Sequence, residues 1–308
     1  MAERDASRTD AGRRGVLMLF LDGVGLGDAD PEGNPLAAAT LPSLRELIGG
    51  APVAAAAART ADGVVFRSLD ARLGHAGLPQ SATGQTSLLT GRNAAELMGR
   101  HYGPWPGPTL VRALQDGTLF HHAGGAAALA NAYPEGYFRA VERRRLRPNA
   151  PVTAARAAEV RLFDLDDYRD GAALAADITG LAFQELDPDL PRLTPEEAGR
   201  RLARLAGEHA FTFYDVWLTD RFGHQQRHAE AVALLEAIDG LIAGMLPALG
   251  ETTLVLTSDH GNVEDLTSSR HTLNPVPLLA VGPGAEAFSA ATDLMDVYGG
   301  VRQVLARA

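Results

Sequence analysis

At 308 residues the chain is long enough for one large α/β domain, or for a domain carrying a sizeable insertion. Its 46% hydrophobic and 21% charged content belongs to folded globular proteins and excludes a disordered chain. A formal net charge of -10 argues against nucleic acid as a partner, because polyanion binders displace counterions with broad basic surfaces.

In chain order, residues 1–15 are polar, rich in Arg and Asp, and lack the apolar core of a signal peptide. They read as a flexible tail on a cytoplasmic protein. The apolar run from Val16 to Leu21 is cut by Asp22 and is too short to span a membrane, so no membrane partner is expected. Continuous apolar residues followed by the glycine-rich DGVGLGD predict a buried parallel strand ending at a functional edge. LPSLRELIGG predicts a short helix, with Pro42 near its start and glycines at its close. Val64 to Leu73 predicts a strand or hairpin, and LPQSATGQTSLLTGR a loop running into a helix, with Ser81 in the loop.

Residues 96–193 change character, with proline-rich aromatic turns, alanine runs and an arginine cluster, and they read as an inserted cap or substrate region. From Thr194 the alternation of α and β is plain. Thr194, Pro195 and Glu197 form a capping box that opens a helix. AFTFYDVWL predicts a strand ending near Asp220. A long helix from about His228 to Leu246 should stop at Pro247. TTLVLTSD predicts a strand ending at Asp259, and NPVPLLAVG one more strand. The catalytic domain is thus expected over 16–95 and 194–308.

Acidic and imidazole side chains recur at these strand ends. Asp220 and His224 in DRFGH, Asp259 and His260 in TSDHGN, and His271 form an oxygen and nitrogen set suited to Mn or Zn rather than Ca. With Asp22 they exceed what one tetrahedral ion with an open position takes, so two divalent metal ions are the natural number. Two cations would let an acidic protein bind a phosphate. The chain has no cysteine, which excludes thiol nucleophiles and thiolate ligands, and no lysine. Ser81 sits among small residues and hydroxyls, with Thr83 and Thr86 as rival nucleophiles and Arg92 as a phosphate contact. Arg100, His101, Arg143 and Arg145 are candidate substrate contacts, the arginines through bidentate hydrogen bonds. G-x-G after the first strand invites a dinucleotide reading, but the third glycine is misplaced and an acidic residue stands where a pyrophosphate would approach.

Taken together these windows resemble the alkaline phosphatase superfamily, and within it the catalytic domain of cofactor-independent phosphoglycerate mutase, with phosphopentomutase a related member. LFLDGVGLGD is similar to its opening metal strand, GLPQSATGQTSLLTGR to its nucleophile loop, DRFGH to its D-x-x-G-H, LTSDHGNVED to its T-A-D-H-G-N-x-E, and RHTLNPVPLL to its H-T-x-N-P-V-P. The resemblance implies an alkaline-phosphatase-like α/β sandwich, with a largely parallel sheet flanked by helices. It assigns one metal to Asp22, Ser81, Asp259 and His260, and the other to Asp220, His224 and His271. The chain departs from the mutase in lacking its active-site lysine and in carrying Ala82 and Gln85 where the mutase has Glu and His. Its insertion is also much shorter than the mutase's, and the shorter insertion and missing lysine point to hydrolysis of a small phosphorylated metabolite through a phosphoserine. The alternatives are an intramolecular phosphomutase, a phosphodiesterase or phosphonate hydrolase, and a non-catalytic metal-binding relic.

Overall fold

The computed structural model describes residues 14–307; most of the tail expected over 1–15 lies outside them. Seven strands, β1 (Val16–Leu21), β2 (Arg59–Ala61), β3 (Val64–Leu69), β4 (Ala127–Leu129), β5 (Phe211–Val216), β6 (Thr253–Thr257) and β7 (Val276–Val281), form one sheet in the order β2-β3-β7-β6-β1-β5-β4. β1 pairs in parallel with β5 and β6, and β4 in parallel with β5. β7 returns antiparallel to β6 and β3 antiparallel to β7.

Side-chain alternation explains why the sheet is covered on both faces. Along β1, Leu17, Leu19 and Leu21 join one hydrophobic cluster, and Val16, Met18 and Phe20 join the other. A strand buried on both sides needs helices above and below it. The first face is covered by the helices Pro195–Gly207 and His228–Met245, through residues such as Leu202, Leu234 and Ile238. The second is covered by Ser81–Thr90 and Leu294–Leu305, through Leu88, Leu89, Val297 and Val301. This is the sandwich that the motifs imply.

Local signals act where they stand. The Thr194–Glu197 capping box forms in both directions, and Gly49 ends the Pro42–Ile48 helix in a left-handed conformation. Asp62 and Gly63 take φ of 54° and 73°, the geometry of a tight hairpin turn between β2 and β3. The stretch His228–Ala248 is long and apolar enough to cross a membrane by composition, but 50% of its most apolar window is buried. It lies against Pro195–Gly207 as a core helix.

The segment expected as a cap also contributes to the sheet. Residues 96–193 are built into the sandwich rather than set upon it. β4 extends the sheet beside β5, and Leu114, Phe120, Leu129 and Val152 share a cluster with Met18 and Phe20. The polar turns of this segment conceal short apolar runs whose burial depends on partners distant in sequence.

Two asparagines pin the segment to β5. Asn131 accepts from the Asp215 N–H and donates to its carbonyl, each at 2.8 Å. Asn149 Nδ2 donates to Asp215 Oδ2 at 2.8 Å. Burial pushes the Asp215 carboxyl up from 3.8 to about 7, against the lowering effect of Asn149.

Replacing Asn131 by Leu should cost on the order of 2–4 kcal/mol, because it strands two buried backbone groups; urea denaturation measures it. Asp215 holds a proton in the native protein that the unfolded chain releases, so its contribution to stability falls as pH rises from 3.8 to about 7. In Asp215→Asn that component is absent, so its denaturation midpoint should gain on the wild type across this window.

Candidate metal centre

Strand direction collects the site. Asp22 directly follows β1, and Asp259 lies two residues beyond β6. Because β7 runs antiparallel to β6, the segment carrying His271 enters the sheet at that same edge. In open α/β sheets ligands bind at the carboxyl ends of parallel strands. Asp220 departs from the sequence expectation: β5 stops at Val216, and Asp220 and His224 occupy the helix Leu218–His224. Four residues apart on a helix, they share one face.

Ser81 is the first residue of the helix Ser81–Thr90 rather than a loop residue. It is buried, with its Oγ 3.0 Å from His260 Nε2. The start of a helix presents free N–H groups and positive potential to an anion. One turn on, a Cβ at Gly84 would lie 2.8 Å from the Asp259 carbonyl oxygen, so only glycine lets this helix approach the Asp259 loop. Gly23, at φ +67°, similarly faces Asp220 with no room for a side chain. Thr83, a rival nucleophile, spends its hydroxyl on the Gln80 carbonyl at 2.9 Å.

The remaining groups converge on Ser81. His260 Nε2 stands 3.4 Å from Asp22 Oδ1 and 3.6 Å from Asp259 Oδ2. His224 Nε2 is 3.3 Å from Asp220 Oδ2, and His271 Nε2 is 3.6 Å from Asp220 Oδ1. The His260 and His271 rings stack at 3.8 Å and join the two groups. Burial raises the Asp22 carboxyl well above its ordinary value, with Asp259 and Asp220 adding repulsion. Burial likewise carries Asp259 up to about 7 against the hydrogen bonds from Gln85 and Gly23. Burial also pushes Asp220 upward, but hydrogen bonding to His224, the charge of His260 and hydrogen bonding from Asn262 outweigh it and hold the group below the usual range. Asp220 in turn raises His224 to about 9, whereas burial lowers His271 to about 4.

This arrangement suits divalent cations. His224 Nδ1 and His271 Nδ1 contact the carbonyls of Ser269 at 2.8 Å and Pro79 at 2.7 Å. A carbonyl can only accept, so each neutral ring carries its hydrogen on Nδ1 and directs an Nε2 lone pair inward. The two Nε2 atoms face each other at 3.1 Å, repulsive unless a cation or proton lies between. Asp22 Oδ1 is buried without a hydrogen-bond partner among the described residues. Ligand atoms of Asp220, His224 and His271 lie within 4.8 Å of one another, as do those of Asp22, Asp220 and His260. Asp220, which the resemblance gave to one ion, therefore stands between both groups.

A cavity of about 710 Å³ opens over Ser81, Asp220, His224 and His271, with Arg100, His101 and Arg270 also on its wall. Arg100 and His101 are thus brought to the site. Arg92 is not: its guanidinium pairs with Asp116 at 3.0 Å, outside the cavity lining. Arg143 and Arg145 are exposed beyond the helix Glu135–Glu142 and also lie outside that lining.

Residues noted only as parts of motifs support the ligands. Gln85 Nε2 donates to Asp259 Oδ2 at 2.9 Å and Asp22 Oδ2 at 3.3 Å, spanning two repelling carboxylates. Asn262 Nδ2 donates to Asp220 Oδ1 at 2.6 Å. Glu264 accepts from Gly25 N, Asn262 N and Asn274 Nδ2, tying three loops together. The spacing in DHGNVE was the available signal for the last two; Arg270 carried none.

Residues 192–306 match the family model described as the Metalloenzyme superfamily. That stretch carries Asp220, His224, Asp259, His260 and His271, and the fold as a whole is alkaline-phosphatase-like. Among relatives, a phosphopentomutase of Methylobacterium radiotolerans is 44% identical over 66 residues, covering 21% of this chain and 16% of its own length. A 2,3-bisphosphoglycerate-independent phosphoglycerate mutase of Halobacterium salinarum is 33% identical over 81 residues, covering 24% and 16%. The matched stretch is thus a small part of either relative. The alkaline phosphatase of the Antarctic bacterium TAB5 shares the fold at a TM-score of 0.55 and 13% identity, over 95% of this chain and 97% of that one.

Ligand binding to the native state alone stabilises it, by about 2.7 kcal/mol at a hundredfold excess over Kd. Mn or Zn should therefore raise the melting temperature and a chelator reverse the shift. His271→Ala should reduce the shift, as read by differential scanning fluorimetry.

Proposed function

We propose that the chain transfers phosphoryl groups through Ser81, with two divalent ions, Mn or Zn, held by Asp22, Asp259, His260 and Ser81 on one side and Asp220, His224 and His271 on the other. The observation that carries this reading is the position of Ser81 Oγ, 3.0 Å from His260 Nε2 at the wall of the cavity that also exposes Asp220, His224 and His271. Bound divalent ions would lower the pKa of the serine hydroxyl and neutralise phosphate charge.

The chain's own groups do the rest. Ser81 Oγ forms a bond to phosphorus as the bond from phosphorus to the substrate oxygen breaks, leaving a phosphoserine and an alcohol. The start of the Ser81–Thr90 helix directs N–H groups toward the phosphoryl oxygens. Arg100 and Arg270 offer charge to a second anionic part of a small phosphorylated metabolite. Gln85 and Asn262 keep the carboxylates oriented between turnovers.

The phosphoserine can pass its group to another hydroxyl of the same substrate or to water. Transfer within the substrate is the better supported fate, because the sequence relatives carry the names of mutases. Hydrolysis is the second reading, favoured by the absence of lysine from the chain.

Ser81→Ala should lower turnover of phosphomonoesters by on the order of 10⁴-fold or more while metal-induced stabilisation persists. Turnover at the wild-type rate would remove Ser81 as nucleophile. Phosphorus NMR of the products separates the fates: an isomeric ester without free phosphate marks a mutase, and inorganic phosphate marks a hydrolase.

A further inference from the structure

A second cavity, of about 470 Å³, lies beside the metal cavity and is lined by Trp105, Tyr133, Tyr137, Phe183, Trp217 and Asp215, among others. Both tryptophans of the chain are in this wall. They are 48% and 39% exposed, unusual for the largest aromatic side chain. The two cavities are joined by consecutive residues. Gly103 and Pro104 line the metal cavity and Trp105 the aromatic one; Trp217 lines the aromatic one, and Asp220, three residues on, the metal cavity.

Polar capacity in this second cavity is narrow. Asn131 is consumed by the Asp215 backbone. Asn149 accepts from Val152 N and donates to Asp215 Oδ2. Asp215 is 2% exposed, and its Oδ1 has no hydrogen-bond partner among the described residues. A buried acceptor left unpaired is costly unless a ligand completes it. A polyhydroxylated sugar would find both amides already engaged. A flat apolar ring with one donor would stack on the aromatic walls and satisfy Oδ1. Arg147, the member of the arginine cluster that reaches this cavity, stands in its wall.

We propose that this cavity binds the non-phosphate part of the substrate, an aromatic or heteroaromatic group whose amine or ring N–H donates to Asp215 Oδ1. The assignment to substrate rests on the phosphoryl-transfer reading; the binding chemistry stands on the cavity alone. A substrate phosphorylated at one end and aromatic at the other would span the two cavities along the Gly103–Trp105 and Trp217–Asp220 stretches.

The tryptophans make the test direct, using phenethylamine as probe and the full-length protein. At pH 8, above the value of about 7 to which burial raises Asp215, Oδ1 is an acceptor, and there phenethylamine should change tryptophan emission saturably while glucose should not. In Asp215→Asn the amide can keep its oxygen toward Asn149 and turn its NH₂ to the cavity, replacing an acceptor by a donor. Affinity should fall about tenfold or more. Trp105→Ala, at an exposed position, should weaken binding several-fold while Trp217 still reports, which covers a failure of Asp215→Asn to fold. Phenethylamine should also compete with a phosphomonoester for turnover, raising KM and leaving kcat unchanged. Absence of a saturable signal, or equal affinity in both variants, overturns the site; inhibition of kcat with KM unchanged overturns its assignment to substrate. Ser81→Ala should bind the probe as the wild type does, so the nucleophile can be disproved without touching this result.

Discussion

Three carboxylates crowded into the buried edge of one sheet are the constraint on which the structure depends. Asp22, Asp220 and Asp259 repel one another with little water to screen them, and burial and repulsion raise the first and last of these. Every neighbouring choice answers this repulsion. Gly23 donates its N–H to Asp259 Oδ1, Gln85 spans Asp259 and Asp22, Asn262 holds Asp220, and imidazoles fill the space between. These neutral donors reduce the repulsion without removing it, and bound divalent cations would complete the balance.

The same constraint explains why the surrounding backbone is rich in glycine. A ligand cluster drawn from β1, β6, the Leu218–His224 helix and the segment before β7 needs main chains closer than side chains permit. Gly23 and Gly84 occupy the tightest approaches, to Asp220 and to Asp259. The sheet supplies direction and the glycines supply proximity. The helix beginning at Ser81 then carries its hydroxyl into contact with His260.

Much of this was legible from residues alone, for a physical reason. β1 declares itself by an unbroken apolar run, the helix after Thr194 by its capping box, and the candidate ligands by acid and imidazole pairs at fixed spacing. These signals are local. What local signals do not carry are relations set by distant partners: Arg92 turns to Asp116, Asp220 sits on a helix because β5 ends early, and β4 joins the sheet from a segment with an uneven apolar pattern. Gln85 looked like a mere departure from the mutase pattern, although its amide bridges two carboxylates. Its role depends on Asp22 and Asp259, which lie 63 and 174 residues away.

Asp220 belongs to both ligand groups, one with His224 and His271 and one with Asp22 and His260. A single carboxylate shared by two candidate sites would make their occupancies interdependent: whatever a first cation did to the orientation or charge of Asp220 would be felt by a second, and thermodynamic reciprocity requires the converse. If both groups take a cation, as proposed above, the centre would fill as a linked pair, and an affinity measured for one ion would be a property of the occupancy of the other.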